Sequence, residues 1–87
     1  MGTFSLLPLA YYAIEQDGVI PAVLNAADEI AVGYFLKDSI KFTDIFKAVE
    51  YIVTTFNNIA DPTIEDIIRA DNEARIKTKE YISSILL

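Results

Sequence analysis

The sequence predicts an all-α domain, a four-helix bundle-like fold, on three observations. Apolar residues recur with helical period in four successive stretches. The breaks between stretches are short and confined to 18–21, 37–41 and 57–62. Nothing alternates strand with helix, so a nucleotide-binding βαβ unit is not encoded. With 87 residues the chain makes one small domain around one core. A compact chain of this length has a radius of gyration of about 12 Å.

The first segment runs from about Ser5 to Asp17. Leu6, Leu9, Ala10, Ala13 and Ile14 draw a single apolar stripe, Ser5 supplies a cap and Pro8 falls in the first turn, where its missing N–H costs little. Gly18 stands where a left-handed residue closes the helix. The second segment, about Pro21 to Leu36, is apolar nearly all round, which places it in the middle of the fold, and Ala22, Ala26, Ala27, Ala31 and Gly33 let neighbouring backbones come close. The third runs from about Thr43 to Phe56, with Thr43 as N-cap, Asp44 at the positive end of the helix dipole and Ile45, Val49, Ile52, Val53 and Phe56 at helical spacing. Ile52 to Phe56 is rich in strand formers, but period and length outvote propensity. The fourth runs from about Thr63 to Ser84. Thr63 and Asp66 form a capping-box-like pair, acids dominate its first half and bases its second, and Ile64, Ile67, Ile68, Ala74, Ile82 and Ile85 supply its apolar face.

Composition removes several kinds of function. A net charge of −6 argues against nucleic acid, which selects basic faces. Without cysteine there is no thiol nucleophile, thiolate metal site or disulfide, and without histidine the usual proton shuttle is gone. Mean hydropathy is positive, yet the longest apolar runs, such as Ile30 to Leu36, last about two turns, too short to span a membrane. The N-terminus carries no secretory or other targeting signal, so a cytoplasmic location is expected. The three glycines are scattered, and no phosphate-binding loop is formed.

Asn25, Asp28 and Glu29 interrupt the most apolar helix, and Asn25 and Glu29 share a face. Carboxylates there could bind metal, but carboxylate-bridged metal bundles need a Glu-x-x-His unit and no histidine is present. Polar groups facing water, a helix end or another protein surface are the simpler reading. Asp71 lies beside the apolar stripe of the fourth segment and pairs with Arg75 one turn on, either as a surface pair or as a charged anchor across an interface. Asp38-Ser39-Ile40 is similar to the attachment site of an acyl carrier protein, although a modified serine should open a helix and Ser39 follows one. The five tyrosines suit core edges and have no neighbour that would make one a catalytic acid. From the residues alone the chain is a binding or structural module, with no catalytic, cofactor-binding or metal-ligating residue.

Four blocks in order carry a resemblance: Pro21-Ala22-Val23-Leu24-Asn25-Ala26-Ala27-Asp28-Glu29-Ile30-Ala31-Val32 with Phe35-Leu36; Ile40-Lys41-Phe42-Thr43-Asp44-Ile45; Pro62-Thr63-Ile64-Glu65-Asp66-Ile67-Ile68; and Ala70-Asp71 with Ala74-Arg75. Together they resemble the C-terminal helical domain of the 1-deoxy-D-xylulose 5-phosphate reductoisomerase family, over about residues 4 to 82. Two departures stand out. Asp28 occupies a position where the family commonly has asparagine, which adds charge and removes an amide donor. Pro8 is displaced from the family's proline, which follows the aromatic that Phe4 matches.

The resemblance implies a domain spanning residues 4–85, with Met1-Gly2 marking a cut boundary. It implies a parent enzyme that rearranges and reduces its sugar phosphate to 2-C-methyl-D-erythritol 4-phosphate, in the non-mevalonate route to isoprenoids. The parent uses NADPH and a divalent cation, Mg2+ or Mn2+. NADPH belongs to an N-terminal domain, and the metal and phosphate sites to a central one, so no catalytic, cofactor or metal residue carries over. The implied partner is the central catalytic domain of the parent chain, itself expected to be a homodimer in the cytoplasm, or in a plastid-type compartment for some members. Asn25, Glu29, Asp71 and Arg75 are expected at or near the docking face. Separated from its parent, the chain would expose apolar surface and self-associate. The rival readings are a free-standing helical interaction domain, which an upstream frame encoding an NADPH-binding domain would exclude, and an acyl-carrier-like protein, which a mass shift at Ser39 after phosphopantetheinyl transfer would reveal.

Overall fold

The computed structural model describes residues 7–86. Ser5 and Leu6, expected to cap and line the first helix, lie outside the described residues, as do Phe4 and Met1-Gly2. Four helices follow in order: α1 (Leu7–Gln16), α2 (Ile20–Leu36), α3 (Phe42–Thr55) and α4 (Ile64–Leu86), and no strand occurs among the described residues. The radius of gyration is 12.7 Å, and the molecule is a slab of 37 × 29 × 18 Å.

α2 packs on all three other helices, whereas α1 and α4 do not pack on each other. It therefore lies between α1 and α4, with α3 set across the row. Its apolar circumference explains this place: Val23, Ala26, Ala27 and Ala31 are fully buried, and Val19 and Ile20 close the start of the helix against the core. α3 contributes Ile45, Ala48, Val49, Ile52 and Val53, all at helical spacing, and the strand-forming run Ile52–Phe56 stays helical up to Thr55. The Tyr51 and Tyr81 rings stack at 4.9 Å between α3 and α4.

Two expected apolar faces are rotated. On α1 the buried pair is Leu9 and Ala13, with Tyr12 packed beside them, and Ile14 is 71% exposed. On α4 the buried row is Ala70, Ala74, Thr78 and Ile82, while Ile64, Ile67, Ile68 and Ile85 are exposed. The contact row on α4 is made mostly of small residues, because a close approach to the alanine-rich α2 leaves little room for branched side chains. Periodicity scores apolar character and misses this preference for size. Buried Thr78 stays satisfied by donating its hydroxyl to the Ala74 carbonyl at 2.6 Å.

The helix ends are set by specific groups. Asp17 and Gly18 both adopt left-handed φ, at 58° and 60°. A Cβ on Gly18 would run into the Ile59 carbonyl and the Asn58 side chain, so that turn requires glycine. The Asn58 side chain holds it from across the fold. Its Oδ1 accepts from the Val19 and Ile59 N–H groups at 3.0 and 2.8 Å, and its Nδ2 donates to the Gln16 carbonyl at 3.0 Å. At α3 the cap is Lys41 and not Thr43. Asp44 reaches back to accept the Lys41 backbone N–H at 3.0 Å, so the helix starts at Phe42 and Thr43 falls inside its first turn. At α4 the expected pair forms in both directions: Thr63 N–H donates to Asp66 at 3.0 Å, and Asp66 N–H to the Thr63 hydroxyl at 3.1 Å.

Candidate functional site

The most organised polar group on the surface joins α2 to α4. One turn separates Asp71 from Arg75 on α4, and the Arg75 Nε donates to Asp71 Oδ2 at 3.0 Å. The Arg75 Nη2 pairs with Glu29 Oε1 of α2 at 2.6 Å. One guanidinium thus serves two carboxylates, and Asp71 first, then Glu29, push the Arg75 pKa above its already high value. The arginine is held in place, and its charge is permanent. Three of the four residues singled out in the sequence, Glu29, Asp71 and Arg75, come together here. Asn25 is exposed one turn before Glu29 and makes no side-chain hydrogen bond among the described residues.

Asp28 stands next to this group on α2. It is half-buried, and burial pushes its carboxyl above the ordinary value of 3.8. It has no hydrogen bond or ion pair among the described residues. The outer strip of α2 that carries it is left uncovered by the other helices: Pro21, Asn25, Glu29 and Leu36 are exposed, and Asp28 and Val32 are half-buried.

Among the described residues no three acidic side chains converge in the way a metal ion requires. The concavities are shallow clefts. One of about 350 Å³ lies between α3 and α4, beside Tyr51, Thr55, Lys77 and Tyr81, and another of about 320 Å³ between α2 and α4, beside Gly33, Lys37 and Lys79. Glu80 and Ser84 also line the first cleft, and the Ser84 hydroxyl donates to the Tyr81 carbonyl at 2.7 Å and not to a base. Ser39 is exposed in the turn after α2, ahead of the start of α3 at Phe42, which is not the helix-opening position of a carrier serine.

Residues 1–77 match the family described as the DXP reductoisomerase C-terminal domain. The chain belongs to this family. The 1-deoxy-D-xylulose 5-phosphate reductoisomerase of Caldanaerobacter subterraneus subsp. tengcongensis is 48% identical over 73 residues, covering 84% of this chain and 19% of that protein. The enzyme of the same name from Thermoanaerobacter sp. is 46% identical over 81 residues, covering 92% of this chain and 21% of its own length. That from Clostridium acetobutylicum is 47% identical over 73 residues, 84% of this chain and 19% of its length. The chain therefore spans about one fifth of the curated relatives it matches. No described helix is long and apolar enough to cross a membrane.

Sequence reasoning missed Asn58 and the outward isoleucines of α4. The signal for Asn58 was its place in the polar break 57–62, a connection that must cap helix ends; nothing in that break names which residue of the fold it meets.

Proposed function

We propose that this chain is the helical C-terminal domain, residues 4–85, of a 1-deoxy-D-xylulose 5-phosphate reductoisomerase, and that it buttresses the catalytic part of the polypeptide without reacting itself. The observation that carries the reading is a match along most of this chain that spans only about one fifth of each relative. The exposed apolar residues support it, because a module built to dock leaves apolar area for its neighbour. The parent reaction is the NADPH-dependent rearrangement and reduction to 2-C-methyl-D-erythritol 4-phosphate, with Mg2+ or Mn2+. The residues of this chain fit neither group: there is no glycine-rich loop for a dinucleotide and, among the described residues, no acidic trio for a cation. Both belong to the remaining four-fifths, and no step of the chemistry runs through this domain.

Asn25, Glu29, Asp71 and Arg75 lie at or near the docking face on this reading. Alanine at these positions lowers the stability or activity of the full enzyme, and an unchanged full enzyme would count against the assignment. The parent is a homodimer of the cytoplasm, and the separate chain self-associates at high concentration through its uncovered apolar residues, which light scattering reads directly.

The reading is tested by following NADPH oxidation with 1-deoxy-D-xylulose 5-phosphate and Mg2+. The chain by itself gives none. The Caldanaerobacter enzyme loses activity when its C-terminal fifth is deleted and regains it when this chain is fused in that place. Turnover by the chain alone, or a fusion no better than the deletion, overturns the reading.

A further inference from the structure

α2 is apolar nearly all round, yet its three neighbours cover only part of it. The remaining strip runs along the helix as Pro21, Asn25, Asp28, Glu29, Val32 and Leu36. Leu36 is 74% exposed. Arg75 is shared by Glu29 and Asp71, and Lys37 and Lys79 line the cleft beside Glu29, so Asp28 is the carboxylate of the strip that has no ion pair among the described residues. Asp28 loses water to the fold without gaining a partner.

We propose that this strip of α2 is the surface on which the rest of the reductoisomerase polypeptide docks, and that the docking surface is apolar and sets an arginine or lysine against Asp28. The inference rests on the functional reading above and adds the face and the chemistry of its partner. The occupant is the remainder of the polypeptide and not a second copy of this chain. The chain spans about one fifth of its relatives, so the remaining four-fifths is the partner at hand; a cation on it gives Asp28 a counter-charge, and its apolar area completes the burial of Val32 and Leu36. The fixed Arg75 and the unpaired amide of Asn25 form a polar rim that sets orientation. Exposed apolar residues occur also on α1, as Leu7, Tyr11 and Ile14, and on α4, as Ile64, Ile67 and Ile68.

The test uses the Caldanaerobacter reductoisomerase with this chain in place of its C-terminal fifth. Each variant is also made in the isolated chain, and its helical melt by circular dichroism shows whether the domain itself still folds. Asp28→Lys and Val32→Asp are expected to cost the fusion tenfold or more in NADPH oxidation and to lower its melting temperature, while Asp28→Lys leaves the melt of the isolated chain intact. Ile76→Asp, on another side of α4, changes neither. If Asp28→Lys and Val32→Asp behave like the parent fusion while Tyr11→Asp abolishes activity, docking occurs through α1 and the proposal falls, but the functional reading stands. A dimer of the parent fusion that Val32→Asp dissolves into active monomers would assign the strip to a second copy and also overturn it. A fusion no more active than the deletion, before any substitution, defeats the functional reading itself.

Discussion

Asn58 shows how much one polar side chain can organise. A helix leaves carbonyls unpaired at its C-terminus and N–H groups unpaired at its N-terminus. Asn58 answers one of each, at Gln16 and Val19, and also accepts from Ile59. Asn58→Ala is expected to lower stability by about 1–2 kcal/mol, measured by urea unfolding of the chain. Asp28 works in the opposite direction. Its folded-state pKa is raised, so its charged form costs stability above that pKa, and the cost is absent below the unfolded value of 3.8. Asp28→Asn therefore raises the melting temperature of the isolated chain at neutral pH and leaves it unchanged at about pH 3. Asp66 has the contrary sign. Its pKa is lowered, first by the Thr63 backbone N–H, so its contribution is present above 3.8 and is lost as pH falls through the depressed value. The Thr63–Asp66 pair was legible in sequence because both partners lie within one helical turn. The Asn58 contacts were not, because they join residues about forty positions apart.

At the scale of the helix, α4 divides into a row that holds it and a row that does not. The buried row ends in Ile82, completely enclosed, whereas Ile68 is 56% exposed. Ile82→Ala is expected to cost about 2–4 kcal/mol and Ile68→Ala no more than about 0.5 kcal/mol in the isolated chain, both read by denaturant unfolding. The ion pair between α4 and α2 is partly exposed, and a double-mutant cycle on Glu29 and Arg75 should give a coupling of about 1 kcal/mol or less. Its purpose is then direction and register more than strength. The existence and order of the helices could be read from apolar spacing, and so could the central place of α2. The rotation of α1 and α4 could not, since Ile14 and Ile64 fit a helical stripe as well as Ala70 and Ala74 do. Close packing chose the small residues, and the isoleucines were left outside.

For the molecule as a whole, the four helices form a slab 18 Å thick in which α2 stays open along one side. The grouping of Glu29, Asp71 and Arg75 was foreseeable in part: the Asp71–Arg75 spacing is local, and helical period put Glu29 on an interrupted apolar face. The bond from Arg75 to Glu29 depends on how α2 and α4 meet, which no local pattern encodes. The central claim is that the domain stabilises a catalytic partner through contact while contributing no reacting group. It is tested most directly by adding the separate chain to a relative's reductoisomerase lacking its C-terminal fifth and following NADPH oxidation. The account predicts saturable recovery of activity as the chain is titrated in, with none from the chain alone; a truncated enzyme indifferent to the chain, or equally active without it, would contradict it.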